Sequence, residues 1–503
     1  MTTSSSNTDK STNNSNEPAW KTIDDQLYNI GTQASGVRIE SDSMGDIEVP
    51  ADHYWGAQTQ RSLIHFSIGD DHMPKAVYHA YGYVKKAAAI VNAAEGRLSK
   101  NKADLIIKVA DEVISGKLDN EFPLYVWQTG SGTQTNMNVN EVISNRAIQM
   151  AGGILGSKDP IHPNDDINMS QSSNDTFPTA MHIATVLEFA NHLIPKVDAL
   201  IKSMWDKAVK WIDVIKIGRT HLQDATPLTL GQEWSGYIAQ LKDALDFVKL
   251  SMNGLYKLAA GGTAVGTGLS APVGFGQKIA DEIADLTGQP FVTAPNKFAA
   301  QASLDPMVNA SAALRSLAVA LMKIANDIRW LGSGPRAGLH ELNLPANEPG
   351  SSIMPGKINP TQEEAMVMVC IQVIGNDTAV SIAGSQGNFE LNAMRPIIIK
   401  NVLHSARILG DACDKLRRYS IEGITLDKDR ISRYVNESLM LVTALSSVIG
   451  YDKASAIAHK AFKENTTLRD AAISSGYIST EEFDKIVVPE KMVGDPHKDL
   501  GIT

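Results

Sequence analysis

The chain has 503 residues, of which 43% are apolar and 20% are charged, and its formal net charge is −10. The apolar fraction is enough for a sizeable core, which argues against a globally disordered protein. Two cysteines exclude a disulfide scaffold, a four-cysteine zinc site and a cysteine-ligated iron–sulfur cluster. The acidic balance disfavours nucleic acid as a partner, because phosphate neutralisation needs a clustered basic face. A small anionic substrate stays compatible with the composition if its site is locally positive.

The first segment, residues 1–36, is predicted to be a disordered polar tail. It begins MTTSSSNTDKSTNNSN, and Ser, Thr and Asn cannot bury apolar area. The tail has neither the apolar core of a secretory signal nor the Arg-rich pattern of a mitochondrial presequence. No run of about 18 uncharged apolar residues follows, so no membrane span is expected. These observations favour a soluble cytoplasmic protein.

Residues 37–171 predict a mixed, mostly helical N-terminal domain. Short helical patterns at 76–94 and 102–115 alternate there with loops rich in Gly, Asn and Pro. Clear period-two alternation is scarce along the whole chain, so strands should be few and peripheral.

Residues 172–426 predict a central bundle of long helices. After Pro227, apolar residues recur at alternating steps of four and three, which is an a/d seam. The predicted helix spans on the order of 40 Å and stops near Gly261-Gly262. The seam residues are Trp234, Ile238, Leu241, Leu245, Val248, Met252, Leu255 and Ala259.

Other helical patterns extend this bundle, because a helix of that length needs long neighbours from one or several subunits. They lie at 179–193 with 196–215, at 308–331, at 361–380 and at 396–416. Residues 427–503 give shorter units and predict a small helical C-terminal domain, in which Ser479-Thr480-Glu481-Glu482 is a capping box. The predicted fold class is therefore mainly α.

Four polar segments place small hydrogen-bonding side chains on loops beside helix starts. The segment at 348–364 combines glycines with Ser351, Ser352, Lys357 and Asn359 ahead of a helix. Such a loop suits a carboxylate or phosphate, although ordinary capped loops share this composition. The four segments are TGSGTQTNMNVNE at 129–141, HPNDDINMSQSSND at 162–175, GRTHLQDATPLTLGQ at 218–232 and EPGSSIMPGKINPTQEE at 348–364.

Single residues within these segments allow both a structural and a functional interpretation. A lone histidine such as His221 is more often structural than catalytic, and its position on a loop beside Thr220 only narrows that difference. No histidines pair at a metal-binding spacing, so a metal site is disfavoured, with Asp165-Asp166 as a weak cation patch. The pattern Gly266-x-Gly268-x-x-Ala271 matches a dinucleotide fingerprint, but no strand precedes it, so it is interpreted as a helix exit.

Taken together, the four segments resemble the active-site segments of the fumarase/aspartase superfamily, in the order in which the family carries them. GSSIMPGKINP at 350–360 resembles its signature loop, and the similarity extends from about Val37 to Gly494. Within the superfamily the chain looks like the class II fumarate hydratases. The resemblance implies a three-domain homotetramer with a central helix bundle and active sites that each combine three subunits. It also implies reversible hydration of fumarate to (S)-malate without a metal or other cofactor.

The resemblance assigns roles residue by residue. Ser351 corresponds to the base, although sequence alone leaves Ser351 and Ser352 open. His221 belongs to the acid/base pair and works through a water, and Glu364 pairs with it. Lys357 and Asn359 suit the dianionic intermediate. The substrate contacts are Ser131, Gly132, Thr133, Ser172, Ser173, Asn174, Thr220, Ser352, Lys357 and Asn359, and a second anion site comprises His162, Pro163, Asn164 and Asp165.

Two alternatives have distinguishing features. Aspartate ammonia-lyase shares much of the signature, but its pattern typically has glutamine where this chain has His221. A non-catalytic scaffold or lens-type protein of the superfamily predicts damaged active-site segments, whereas Ser351, Lys357, Asn359 and Asn174 are all present. The sequence therefore predicts the hydratase.

Overall fold

The computed structural model describes residues 29–501, so most of the predicted tail over 1–36 lies outside the described residues. Over the described range the chain is mainly helical, which confirms the predicted fold class. Shorter 3-10 or π turns occupy Asp119–Glu121, Pro163–Ile167, Phe189–Leu193, Arg417–Ile421, Leu439–Leu445 and Pro489–Lys491. The α-helices are α1 (Ala57–His65), α2 (Lys75–Ala94), α3 (Lys100–Ile114), α4 (Thr133–Met150), α5 (Ser173–Glu188), α6 (Ile194–Lys210), α7 (Leu230–Leu255), α8 (Phe275–Thr287), α9 (Lys297–Ala302), α10 (Asp305–Leu331), α11 (Thr361–Gly384), α12 (Arg395–Leu416), α13 (Lys428–Glu437), α14 (Ser446–Ile449), α15 (Tyr451–Glu464), α16 (Leu468–Ser474), α17 (Thr480–Ile486) and α18 (Pro496–Asp499).

The strands are short and form two-stranded pairs, as the scarcity of period-two alternation predicts. Within the described residues four pairs are antiparallel and one, β5 with β6, is parallel. The pairs are β1 (Val37–Asp42) with β2 (Gly45–Pro50), β3 (Ile215–Thr220) with β4 (Gln223–Thr229), β5 (Lys257–Leu258) with β6 (Val292–Thr293), β7 (Leu342–Asn343) with β10 (Thr425–Leu426), and β8 (Gly387–Asn388) with β9 (Leu391–Asn392).

The contacts divide the chain into two compact units. Of the described residues, the first unit comprises those up to Met181 together with Lys257–Ser303 and Gly387–Pro396. The second unit comprises His182–Tyr256, Leu304–Gln386 and the described residues from Ile397 onward. Within the second unit, a separate hydrophobic cluster lies between residues 441 and 483. The division into 37–171, 172–426 and 427–503 remains a prediction.

The long helix predicted after Pro227 is α7. A capping box between Thr229 and Gln232 fixes the start of the helix. The seam residues from Trp234 to Leu255 lie on one face of the helix, and all of them are buried. The helix ends earlier than the predicted stop at Gly261-Gly262. The reason is that the backbone after it pairs as β5 with β6, which a helix cannot do.

The helices predicted at 308–331 and 361–380 are α10 and α11. A buried polar contact joins them, since Asp377 of α11 accepts hydrogen bonds from Ser311 Oγ at 2.7 Å and Arg315 Nη1 at 2.8 Å on α10. By length and composition, α10 and α11 are the helices among the described residues that could cross a membrane. Buried helices of a bundle meet the same criterion.

One predicted boundary and one predicted loop were wrong. The pattern at 196–215 corresponds to α6, which ends at Lys210 because Ile215 already belongs to β3. The segment 218–232, expected to be a loop, is mostly a β-hairpin with Gly218 at a bulge. The helices predicted at 76–94, 102–115 and 396–416 are confirmed as α2, α3 and α12, and the capping box of Ser479 begins α17.

Candidate active site

The segment 129–141 forms the turn before α4 and the first half of that helix. Ser131 Oγ and Thr133 Oγ1 lie 2.9 Å apart at the helix start. Gly132 has a φ of +81°, and a Cβ there would lie 2.1 Å from the Phe177 ring, so this turn requires glycine. Gly132, which precedes α4, has no side chain to cap the helix, and Gln128 Oε1 accepts the N–H of Thr135 at 3.1 Å. The N–H groups of Thr133 and Gln134 and the positive end of the helix dipole are left for a carboxylate.

A second helix start, that of α5, carries Ser172, Ser173 and Asn174. The N–H of Asn174 donates to Ser172 Oγ at 3.2 Å, and Asn174 Nδ2 donates to the carbonyl of Ala264 at 2.7 Å. The N–H of Ser172 donates to Asp175 Oδ1 at 2.9 Å. Hydrogen bonds among Ser172, Asn174 and Asp175 therefore fix the backbone of this serine-rich turn.

Asp175 ends the segment at 162–175, but no role was predicted for it from the sequence. It is fully buried and also accepts the N–H groups of Gly261 at 2.9 Å and Thr263 at 3.0 Å. Burial raises the pKa of this carboxyl, and the three N–H donors oppose the rise. Asp175 therefore ties the start of α5 to the residues around Gly261.

Two buried cations lie beside these segments, and neither was predicted from the sequence as a site residue. Lys85 on α2 and Arg395 at the start of α12 are both fully buried. Arg395 Nη2 donates to the carbonyl of Gln301 at 2.8 Å, and its N–H donates to the carbonyl of Gly130 at 3.2 Å. The burial of Lys85 could have been predicted, because it occupies a position on the apolar face of the helical pattern of α2.

The proposed second anion site has a definite internal geometry. His162 Nδ1 accepts the N–H groups of Asn164 and Asp165, each at 3.1 Å. Because Nδ1 accepts these two N–H groups, Nε2 is the ring nitrogen that can donate to an anion. A cavity of about 330 Å³ lies beside His162, Pro163 and Asn164. The cation patch suggested for Asp165-Asp166 is wrong for Asp166, which already binds Lys102 Nζ at 2.8 Å.

His221 lies at the tip of the hairpin between β3 and β4. Thr220 pairs with Gln223, so His221 and Leu222 form a two-residue turn in which both have positive φ, +57° and +60°. Such turns ordinarily use Asn and Gly, because other side chains crowd the backbone in that region. Positive φ at two non-glycine residues indicates a functional constraint on the tip.

A buried ion cluster supports the base of this hairpin. Lys216 Nζ on β3 contacts Glu233 Oε1 at 2.7 Å and Glu341 Oε2 at 3.0 Å. Arg219, two residues before His221, contacts Glu341 Oε1 at 2.5 Å. Because Lys216 and Glu341 are almost completely buried, the cluster holds the strand that presents His221 in one position.

The loop at 350–360 is closed by its own hydrogen bonds. The N–H of Gly350 donates to the carbonyl of Lys357 at 2.9 Å, and Asn359 Nδ2 donates to the carbonyl of Gly350 at 2.6 Å. Ser351 Oγ accepts the N–H of Ile353 at 3.3 Å and of Met354 at 3.1 Å. Ser351 is half-buried, whereas Ser352 is exposed.

A cavity of about 520 Å³ opens beside this loop, with Lys357 and Asn359 in its wall. Glu364 follows in the first turn of α11, and its Oε1 lies 4.0 Å from Arg329 Nη2. Among the described residues of one chain, Glu364 thus faces Arg329, and its pairing with His221 remains a prediction. No group of three or more His, Cys, Asp or Glu residues within 29–501 is placed to hold a metal ion.

The site residues predicted from the sequence fall into two groups, one in each compact unit. Each group combines small hydroxyl or amide side chains with a helix start or a tight turn, which suits an anionic ligand. The first unit carries Ser131, Gly132, Thr133, His162, Pro163, Asn164, Asp165, Ser172, Ser173 and Asn174; the second carries Thr220, His221, Ser351, Ser352, Lys357, Asn359 and Glu364.

Two protein-family models together match most of the chain. The lyase family model matches residues 45–375, and the model of the fumarase C C-terminus matches residues 441–494. A class II fumarate hydratase of Methanosarcina acetivorans is 76% identical over 94% of this chain and 97% of its own length. A mitochondrial fumarate hydratase of Rattus norvegicus is 58% identical over 91% of this chain and 90% of its own length.

Solved structures give the same fold. A class II fumarase from Schistosoma mansoni has a TM-score of 0.90 and 44% identity, over 91% of this chain and 99% of that one. A protein from Brucella melitensis described as fumarate lyase:delta crystallin, bound to cobalt, has a TM-score of 0.88 and 40% identity, over 92% of this chain and all of that one.

Proposed function

Because the chain belongs to the lyase family and, within it, to the class II fumarate hydratases, we propose how its own residues carry out that reaction. The protein catalyses the reversible hydration of fumarate to (S)-malate. The observation that carries this conclusion is the 76% identity to a named hydratase over 94% of the chain. Aspartate ammonia-lyase is not favoured, since the relatives compared are named as hydratases and His221 departs from the aspartase pattern.

The reaction requires a base for a weakly acidic proton, because in the malate direction that proton leaves a carbon next to a carboxylate. We assign this role to Ser351 in its alkoxide form, which becomes the neutral hydroxyl when it takes the proton. Its Oγ already accepts two backbone N–H groups, from Ile353 and Met354, and such donors stabilise negative charge on an oxygen. This contact pattern supports Ser351 over the exposed Ser352, for which we propose a substrate contact.

The intermediate carries two negative charges on one carboxylate and therefore needs preorganised positive charge and N–H donors. Lys357 supplies the charge from the cavity wall, and Asn359 holds the loop through Gly350. His221, acting through a water, protonates the departing hydroxyl from the opposite face, and Glu364 tunes it. We propose that Thr220 and the residues at the starts of α4 and α5 bind the substrate carboxylates.

We propose that the protein is a homotetramer in which each active site combines residues from three copies. The support lies in the exposed face of α11, where Met368, Ile371 and Ile382 are 64%, 58% and 61% exposed. With Gly375 included, the four positions follow at steps of three, four and seven residues, which places them on one face of the helix. A contiguous apolar stripe of this kind marks a protein interface, and exposed Val319 on α10 continues the pattern.

Replacing Ile371 by Glu tests this assembly. A charge in the centre of the stripe should dissociate the tetramer into smaller species, because an unpaired buried carboxylate in a helix interface is strongly unfavourable. Light scattering coupled to size exclusion measures the mass. Phe462→Glu is a matched control, since Phe462 is 78% exposed on α15, away from the stripe. A tetramer that survives Ile371→Glu would contradict the proposed interface.

The substrate is tested by ultraviolet absorbance of fumarate, with malate, aspartate and argininosuccinate offered side by side to the same preparation. We expect fumarate to form from malate alone. Fumarate that appears only from aspartate would overturn the hydratase assignment in favour of the ammonia-lyase.

We propose a cytoplasmic location and no membrane or nucleic-acid partner. Cys370 and Cys413 are free and buried, as expected for a protein of a reducing compartment. Tetramer contacts on α10 and α11 would account for their apolar surface without a bilayer. We also propose that His162, Pro163, Asn164 and Asp165 bind a second anion, with His162 Nε2 as the donor.

A further inference from the structure

Lys85 is a buried cation without a carboxylate in contact among the described residues. Its ammonium donates to three amide oxygens: Asn136 Oδ1 at 2.8 Å, Gln171 Oε1 at 2.9 Å and Asn168 Oδ1 at 3.2 Å. Three acceptors match the three N–H bonds of a protonated lysine. The site is therefore built for the charged form, although burial disfavours a charge.

Two of the three amides lie at the starts of α4 and α5, and the third, that of Asn168, lies at the end of the Pro163–Ile167 turn. Asn136 lies in the first turn of α4, directly after the Ser131–Thr133 turn, and Gln171 directly precedes Ser172. Asn136 Nδ2 also donates to Asn168 Oδ1 at 3.0 Å, which closes the network. The ammonium thus joins the two segments that we propose to bind the substrate carboxylates.

The surrounding charges leave this region positive. Asp175 is the buried carboxylate that acts on Lys85, on Lys297 and on Arg395. Tyr81 is the other titratable neighbour; its ring centroid lies 5.6 Å from Lys85 Nζ, and burial raises its pKa so that it stays neutral. Three cations face one carboxylate, and in a poorly hydrated interior the excess positive charge favours a nearby dianion.

We propose that Lys85 is a positioning residue for the dicarboxylate: its protonated side chain holds the starts of α4 and α5 in register and supplies positive charge to that half of the site. This inference rests on the proposed function of those two segments. Loss of the proton removes the charge and one of the three donors, so binding of a dianion should weaken.

The pH dependence has a defined sign. Burial lowers the pKa of Lys85 to about 7, and Asp175 opposes the shift. Below that pH the ammonium is intact, and above it the amine is neutral. Affinity for a dicarboxylate should therefore fall as the pH rises through about 7. Burial also lowers the pKa of Lys297, to about 8, and of Arg395, to about 10, so a variant must separate their contributions from that of Lys85.

The test uses the full-length protein and succinate, a dicarboxylate that cannot be hydrated. Calorimetry should give a Kd for wild-type protein that rises about tenfold between pH 6 and 8, as expected for the loss of one nearby charge. Lys85→Met should start with the weaker Kd and lose this pH dependence, with a larger effect on KM for fumarate than on kcat. Lys86→Met is the matched control, because Lys86 contacts the exposed Asp111 at 2.7 Å.

A Kd that is flat with pH in wild-type protein, or Lys85→Met binding succinate like wild type, would overturn the role of Lys85. The pH dependence of the wild-type Kd for succinate tests the proposal even if Lys85→Met does not fold. Turnover of fumarate by wild-type protein is measured in parallel. Normal turnover with a flat Kd rejects only the inference on Lys85, whereas absent turnover rejects the proposed function itself.

Discussion

Ser351→Ala should lower kcat for malate dehydration by about 10²- to 10⁴-fold, the usual contribution of a general base. The reason is that alanine removes the oxygen that accepts the Ile353 and Met354 N–H groups and, in our proposal, the C3 proton. Turnover is followed by fumarate absorbance. Incorporation of solvent deuterium at C3 of malate, which reports proton abstraction alone, should fall in parallel.

Two measurements separate catalysis from folding in this variant. Light scattering should give the wild-type mass for Ser351→Ala, because the side chain is small and half-buried. Ser352→Ala provides the comparison between neighbouring hydroxyls, and its loss should be smaller and should appear mainly in KM. A larger loss of kcat in Ser352→Ala than in Ser351→Ala would transfer the role of base to Ser352.

The sequence predicted the long helices well because their information is local and periodic. The seam from Trp234 to Leu255 repeats over several turns, and every one of its positions is buried in α7. The ends of helices were less predictable. At Leu255 the helix stops where the chain pairs with β6, a partner more than 30 residues away, and nothing in the adjacent sequence encodes that pairing.

The hairpin that presents His221 was missed for a related reason. Its turn residues, His221 and Leu222, are poor formers of a two-residue turn, so local propensity argued against it. The tertiary cluster of Lys216, Arg219 and Glu341 holds the strands regardless. Glu341 is 122 residues from Arg219 in sequence, which explains why no motif revealed the contact.

The sequence predicts the candidate site as four segments, and it does not predict the hydrogen-bond network that the structure shows around them. Resemblance identifies residues that contact substrate, because they recur in recognisable motifs. Lys85 lies outside those motifs and Asp175 at the end of one, and what singles out both residues is complete burial together with the atoms that they bind. Lysine in an Ala-rich helix is otherwise ordinary on a solvated face.

Mixing two inactive variants should restore activity if active sites are shared between copies. Ser351→Ala alters the second unit and Asn174→Ala alters the first unit. In the proposed homotetramer, each variant alone would therefore lack one required group at every site. Hybrid tetramers, formed by unfolding the two variants together and refolding them, contain sites that receive Ser351 from one copy and Asn174 from another. In a random 1:1 mixture, about a quarter of all sites should be intact, by counting subunit combinations in a symmetric tetramer.

The result distinguishes a shared site from a site built within one chain. If both groups came from the same copy, each hybrid subunit would still carry one defect, and mixing would restore nothing. Recovery should therefore approach about a quarter of wild-type turnover when Ser351 and Asn174 come from different copies. Mixing Ser351→Ala with Lys357→Ala is the matched control: both residues lie on the same loop of one copy, so that mixture should stay inactive.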